Sequence, residues 1–252
     1  IPESNRAGVF KQLLALNATE MVAGAYGLED DALVITDAVA GHITTDRATG
    51  RSSGVTYIDR LTRVPREIKA KVVLLCASTL ESTRLLLNSA PGGLANSSGV
   101  LGRYLMDHVY GGGASGALPM LEAKPWYGPP RRPNGIYVPR FRNVKEKMTN
   151  GFIRGYGYQG QSLLRFAMGA PGFGAKFKNA VREKGRWSTA LHVFAEALAR
   201  YENYVEIDKH RVDAWGVPVL SIHMAWSDNE RKLFEDGRQQ GAEMLEAAGV
   251  PI

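Results

Sequence analysis

Lys71-Val-Val-Leu-Leu-Cys-Ala-Ser-Thr-Leu-Glu-Ser-Thr-Arg-Leu-Leu-Leu-Asn-Ser89 is the stretch whose reading decides the fold. Val72 to Cys76 form a short continuous apolar run, the pattern of a strand buried on both faces of a parallel or mixed sheet. Ala77 and Ser78 follow and are small enough to let another group approach the backbone. From Thr79 the spacing turns helical, which predicts Leu80, Thr83, Leu86 and Leu87 on one face. Strand, small-residue turn and helix mark a place where open α/β sheets take ligands, at the carboxyl end of a strand. The same pattern also describes a packed strand and helix with no ligand at all.

Upstream, residues 9–24 have helical apolar spacing and stop near Gly24 and Gly27. Leu33 to Thr36 reads as a strand, and Ala38 to Thr45 continues extended with Val39 and Ile43 on alternate positions. Asp46-Arg-Ala-Thr-Gly50 is turn chemistry, Gly54 to Asp59 alternates as the return of a hairpin, and Arg66 to Ala70 leads into the opening stretch. An antiparallel meander ahead of a buried strand is therefore expected in a first domain, residues 1–110. From Gly111 glycines and prolines crowd together, which predicts a long irregular connection of the lid or binding-loop kind. Strand-like pieces follow at 135–141, 152–158, 187–195, 204–208 and 218–224. Ser227-Asp-Asn-Glu230 spells an N-terminal capping box, opening a helix that runs to Ala248 and stops at Gly249. The second domain, residues 111–252, is expected to be a mostly antiparallel sheet backed by helices, so the fold class is α+β or α/β.

With 252 residues and 44% apolar content, the chain can build one large core or two ordinary ones. Its longest apolar run falls far short of a membrane span, and no charged-then-apolar leader opens it. It starts at Ile1 and stops just after a helix, so both ends look cut. The single cysteine, Cys76, has no internal partner and is expected as a small core residue. One cysteine leaves the compartment open, leaning to a reducing, cytoplasmic one. Between Arg131 and Arg186 stand thirteen Lys and Arg against Glu146 and Glu183, a balance of +11 in a chain whose net charge is +6. Such asymmetry suits a solvated surface or anionic small molecules. No groove-reading helix, zinc finger or RNP-like motif accompanies it, so no nucleic-acid partner is expected.

Two spellings are set aside. Gly155-Tyr-Gly-Tyr-Gln-Gly160 fits G-x-G-x-x-G, but it follows Arg154 and lacks a ribose-binding acid at a strand end. Gly50-Arg-Ser-Ser-Gly54 fits G-x-S-x-G, yet it sits in a hairpin turn instead of a strand-to-helix elbow. His42, His108, His192, His210 and His223 are scattered without metal-ligand spacing, so no metal site is expected. His108, which closes the first domain, is the best placed of them for acid–base work.

Ala70 to Ser89, followed by Leu94-Ala-Asn-Ser-Ser-Gly-Val-Leu-Gly-Arg-Tyr-Leu-Met-Asp-His108, resembles the glucose-methanol-choline (GMC) oxidoreductases, flavoproteins that oxidise alcohols. Leu33-Val-Ile-Thr-Asp-Ala-Val-Ala40 and Gly50 to Val55 are similar to the family's adenine-side strand and hairpin. Glu202 to Asp208, Trp215 to Val219 and Trp226 to Glu230 are similar to its substrate-domain sheet and following helix. The resemblance lies nearest the bacterial branch that oxidises sugars or glucosides. It implies a partial FAD-binding domain of Rossmann-like type, an antiparallel-sheet substrate domain, FAD as cofactor and a small alcohol or sugar as substrate. Carried over by position, Val39 offers its backbone N–H and C=O to the adenine edge. Ala77 and Ser78 line the adenosine pocket, and Glu81 stands near it at the helix start. Tyr127, Tyr137, Arg140, Tyr156 and Gln159 are candidates for sugar contact.

The departures define what is expected of this piece. The family's phosphate-cradling glycine loop is expected before Ile1, and its catalytic His and second His or Asn beyond Ile252. Ser78 stands where the family usually has Gly, and Glu81-Ser-Thr83 where it usually has Ser-Pro. The expectation is a middle fragment, inactive alone, with no catalytic residue of its own and an electron acceptor left open. Two other readings stay open: a non-catalytic anion- or carbohydrate-binding module, suggested by the basic stretch, and, more distantly, a nucleotide-binding regulatory protein.

Overall fold

Every strand pairing in the computed structural model is antiparallel among the residues it describes, which are 35–121, 135–145, 148, 150–164, 169, 171–182 and 187–252. The expected helix at 9–24 and the first half of the expected strand at 33–36 lie outside them. The chain divides into two compact units, Ile1–Leu105 with Arg200–Met224 and Met106–Ala199 with Ala225–Ile252. Residues 200–224, expected with the substrate domain, thus belong to the first unit.

In the first unit, β1 (Ala38–Thr45), β2 (Ser52–Asp59) and β3 (Pro65–Lys69) form a meander in that order. The β1–β2 turn is held by Asp46, whose carboxylate accepts from the amides of Ala48 and Thr49, while Gly50 takes positive φ. Helix α1 (Ser78–Ser89) packs against β1, and the Ile43 amide donates to Ser89 Oγ at 2.8 Å. A hairpin of β8 (Tyr204–Val212) and β9 (Pro218–His223) completes the unit. Arg84 ties α1 to the loop between them, with Nη2 2.7 Å from Asp213 Oδ2 and Nε donating to the Pro218 carbonyl.

The second unit is a four-stranded sheet ordered β4 (Val109–Ala117), β7 (Trp187–Ala195), β6 (Tyr156–Leu164), β5 (Gly135–Val138). Helix α2 (Gly174–Arg182) lies between β6 and β7 in sequence, and α3 (Asp228–Ala247) packs on β4, β7 and β6. Val109, Ala114, Tyr156, Tyr158, Leu191 and Val193 meet Leu233 and Leu245 of α3 in the core. The capping box is formed as the sequence predicts, with Ser227 and Glu230 as its two members, and Gly249 takes positive φ beyond the helix end. No described helix is long and apolar enough to cross a membrane.

Three expectations are corrected. Val72 to Cys76 forms no strand among the described residues; Val72 and Leu74 are 57% and 50% exposed, and Cys76 is exposed as well. An apolar run is buried only by what packs against it, and no described element covers this one. The buried position of α1 is Leu85, while Leu80 is exposed, because the helix turns Leu85 and Ser89 toward β1 and Arg84 and Asn88 toward Pro218. Gly111 to Gly116 is strand, not loop. A Cβ at Gly113 would stand 1.8 Å from the Leu191 carbonyl oxygen, and one at Gly112 would meet the Phe234 ring at 2.5 Å. These glycines are set by close crossing, not by a turn.

Gly113→Ala is expected to destabilise the second unit by about 1–3 kcal/mol or more, read as a lower denaturant midpoint. Glu230 is 2% exposed. Burial pushes its carboxyl up, but hydrogen bonds from the Ser227 hydroxyl and from the amides of Leu198 and Ser227 outweigh this and hold it below its ordinary value. A depressed carboxyl contributes stability above its unfolded value, and that contribution disappears as pH falls through the folded value. Glu230→Gln should therefore lower the melting temperature near neutrality and narrow the gap between melts at about pH 7 and about pH 3.

Candidate functional site

The direction of each backbone group in β1 follows from ladder parity. Arg60 N donates to Asp37 O at 2.7 Å, and Asp59 N donates to Val64 O of the β3 side at 3.0 Å. The register pairs Ala38 with Asp59, Val39 with Ile58 and Ala40 with Tyr57. Hydrogen-bonded and non-bonded pairs alternate in an antiparallel ladder, so Val39 exchanges its bonds with Ile58, and the N–H and C=O of Ala38 and Ala40 face away from β2. Among the described residues no strand lies on that side of β1. Ala38 and Ala40 are buried, at 3% and 7% exposure, and the ladder irregularity at Gly41 follows directly. The sequence expectation named Val39; parity gives the outward-facing groups to its neighbours.

The other expected cofactor residues lie at the start of α1 in the same unit. Ala77 is the cap residue with no side-chain hydrogen bond, and Ser78 takes φ +66 at the first helical position. Glu81 is half-exposed, with Arg84 Nη1 3.3 Å away. Arg84 is shared with Asp213, whose carboxyl is raised by burial but pulled below its ordinary value by the Arg84 hydrogen bond and the amides of Val217 and Trp215.

In the second unit one face of the sheet is covered by α3, and among the described residues no other helix packs comparably on the sheet, so the other face is open among them. Along β6, Tyr156 and Tyr158 are buried, so Gly157, Gln159 and Gln161 point the other way; along β7, Leu191, Val193 and Ala195 are buried, leaving His192 and Phe194 outside. Register sets these side chains in rows. Tyr137, Gln159, His192 and Gly113 are direct partners across all four strands, and the next row carries Gly157, Phe194 and Tyr110. The Tyr110 and Phe194 rings lie 4.4 Å apart between centroids, and His108 meets Phe194 edge-on at 5.9 Å. A concavity of about 280 Å³ is lined by His108, Tyr137, Arg140, Gln159, Phe194 and Glu196 among others.

Three sugar-contact candidates, Tyr137, Arg140 and Gln159, therefore come together, whereas Tyr127 lies outside the described residues. Tyr156 turns inward. Its hydroxyl hydrogen-bonds Asp236 Oδ2, which also accepts from Arg142 Nε at 2.9 Å, while Asn150 donates to Oδ1 at 2.8 Å. Burial, reinforced by Asp236, pushes the Tyr156 phenol well above its ordinary range, and burial pushes Tyr158 up to about 12. The pair and its partners anchor α3, and both residues also contribute to the wall of the concavity. His192, scattered in sequence, is the residue missed; its signal was the alternation Leu191-His192-Val193-Phe194, which becomes informative once β6 supplies the partner row.

Residues 18–110 match the GMC oxidoreductase family. Over 225 residues the chain is 30% identical to 2-methyl-1,2-propanediol dehydrogenase of Mycolicibacterium austroafricanum, covering 80% of this chain and 39% of that protein. Over 227 residues it is 25% identical to the fructose dehydrogenase large subunit of Gluconobacter japonicus, covering 86% of this chain and 40% of that protein. The chain thus spans about two fifths of the length of these curated relatives.

Asp236→Asn is expected to lower unfolding free energy by about 2 kcal/mol, because it strips charge from the acceptor shared by Tyr156, Arg142 and Asn150. A denaturant titration checks it; an unchanged midpoint would show that the network contributes nothing to stability.

Proposed function

The chain belongs to the GMC oxidoreductase family, and we propose that it is part of an FAD-dependent enzyme oxidising a CH–OH group of a small alcohol or sugar. The observation that carries the reading is the outward-facing backbone edge of Ala38 and Ala40. Buried N–H and C=O groups demand partners, and an adenine ring offers a nitrogen acceptor beside an amino donor. The small side chains of Ala38, Ala40 and Ala77 suit the close approach of a flat ring, and the outward backbone edge offers it hydrogen-bonding groups, so the residue types fit the cofactor. On this reading Ala40, in place of Val39, holds the adenine edge, while Ala77, Ser78 and Glu81 border the adenosine. FAD, when bound, supplies the hydride acceptor. The open face of the second unit supplies the surface that orients the substrate.

The alternative of an anion-binding module draws less support. Arg140 and Arg154 of the basic stretch meet Glu196, and Arg142 meets Asp236, so these cations are already paired.

In the full-length protein, Ala40→Pro removes the outward amide from an edge position where proline is tolerated. It is expected to weaken FAD binding about tenfold with little change in melting temperature. Equilibrium dialysis against FAD checks this, and unchanged affinity in a folded variant would refute the adenine assignment. Bleaching of the bound flavin on adding alcohols or sugars tests the reaction itself.

A further inference from the structure

We propose that the tip of α2, with Phe173 as an apolar wedge and Lys176 and Lys178 beside it, is a reversible docking site for the surface of a bilayer rich in anionic lipid. The inference goes beyond the oxidoreductase reading and does not depend on it, since attachment to a surface and chemistry at a flavin are separate properties.

Phe173 is 92% exposed, more than any other large apolar side chain among the described residues. It stands between Gly172 and Gly174, both at positive φ, and a Cβ built on either glycine would meet no atom within 4 Å. The backbone therefore turns at a bare tip, in a conformation that glycine adopts without strain, and the ring is left in water. Removing such a ring from water is favourable wherever an apolar medium is offered to it.

Helix α2 follows at once, with its polar and apolar residues sorted. Phe177, Ala180 and Val181 are half-buried, whereas Ala175, Lys176, Lys178 and Asn179 are exposed. At about 100° per residue, Lys176 and Lys178 fall on opposite flanks of the apolar stripe. With a rise of about 1.5 Å per residue, both lie within about 6 Å of the helix start along its axis. That is less than a Debye length, about 8 Å at physiological ionic strength, so the two charges and the wedge act on the same patch of surface. Neither lysine is engaged in an ion pair among the described residues. Between Pro171 and Arg186 the sequence carries five Lys and Arg against Glu183 alone, a balance of +4.

Charge and shape together select the occupant. A basic amphipathic helix led by an aromatic residue has the composition of segments that lie in a bilayer interface, with lysine ammonium groups in the headgroup layer and the ring among acyl chains. A surface of neutral headgroups lacks the counter-charge, so the preference is for anionic lipid. Protein partners are met differently, because the aromatic anchors of a protein interface sit in a dehydrated core from which lysine is depleted. The residues next to Phe173, which are Gly172, Gly174, Ala175 and Lys176, are exposed and supply no second apolar anchor. A fluid bilayer needs no matching pocket and accepts a single ring. The contact is peripheral, since a helix of nine residues is about 14 Å long and too short to span.

The test is co-sedimentation of the full-length protein with vesicles of pure phosphatidylcholine and with vesicles of equal parts phosphatidylcholine and phosphatidylglycerol. Binding to the mixed vesicles alone is expected, and it should weaken as salt is raised from about 0.1 M to about 1 M. Phe173→Ala should weaken it about tenfold, and Lys176→Ala and Lys178→Ala about fivefold each. Lys209→Ala on β8 should leave it unchanged, with melting curves showing all variants folded. Phe173→Trp should keep the binding, and lipids brominated along the acyl chain should quench its emission more than that of the wild type. No sedimentation with the anionic vesicles, equal binding to both compositions, or wild-type affinity in the Phe173→Ala and lysine variants would overturn the proposal. So would a Phe173-dependent complex with another protein in a chain that no vesicle binds. Sedimentation through this tip by a protein whose flavin no alcohol reduces would defeat the oxidoreductase reading and leave the docking site standing.

Discussion

The second unit depends on how closely α3 approaches its sheet. Gly237 and Gly241 face Val193, Tyr156 and Tyr158, and a Cβ on Gly237 would lie 2.9 Å from a Val193 methyl. The missing side chains let two tyrosine rings slide beneath the helix, where the Tyr158 hydroxyl donates to the Gly237 carbonyl at 2.6 Å. Once those tyrosines are inside, the period of two in a strand leaves no freedom about Gly157, Gln159 and Gln161. A slip of one residue would drive the glutamines under the helix and expose the rings, an exchange the core could not survive. Which side chains reach the opposite face is therefore chosen by packing on this one.

Backbone parity plays the equivalent part in the first unit. Three hydrogen bonds at the margins of the meander, Arg60 to Asp37, Asp59 to Val64 and Ala70 to Ser53, fix which residues of β2 look to β1 and which to β3. Odd positions of β2 serve β3 and even positions serve β1, so Ile58 takes Val39 and leaves Ala40 turned outward. A side chain could be chosen for such a position by size alone. The direction of its peptide groups is set by the whole ladder.

This separates what was legible in the sequence from what was not. The capping box at Ser227 and Glu230 was readable because all its partners lie within four residues, and Trp187 to Ala195 because β-branched and aromatic alternation fills the whole strand. The hairpin around Asp46 was readable from turn chemistry. Burial of Val72 to Cys76 was not, since an apolar run reports what a segment could bury and not whether a neighbour is present. The Gly111 to Gly113 run spelled a loop, although each glycine answers to a group far along the chain, the Leu191 carbonyl or the Phe234 ring. Val39 was named where Ala40 is turned outward because adjacent residues differ only in parity. Tyr156 and Gln159 were named together as contact residues, yet they differ by three positions and so leave a strand on opposite faces.

The charge pattern shows why composition misleads about ligands. A surplus of thirteen cations over two acids between Arg131 and Arg186 suggests an anion-binding surface. Yet the carboxylates that answer Arg140, Arg142 and Arg154 come from outside that window, Glu196 at the end of β7 and Asp236 on α3. Burial opposes the charge on Arg142, and the Asp236 hydrogen bond more than restores it, so this guanidinium is bound to its own fold. Folding converts a segment's net charge into local pairs, and the field that a ligand meets is what those pairs leave over. At the concavity a single carboxylate, Glu196, is shared by the guanidinium groups of Arg140 and Arg154.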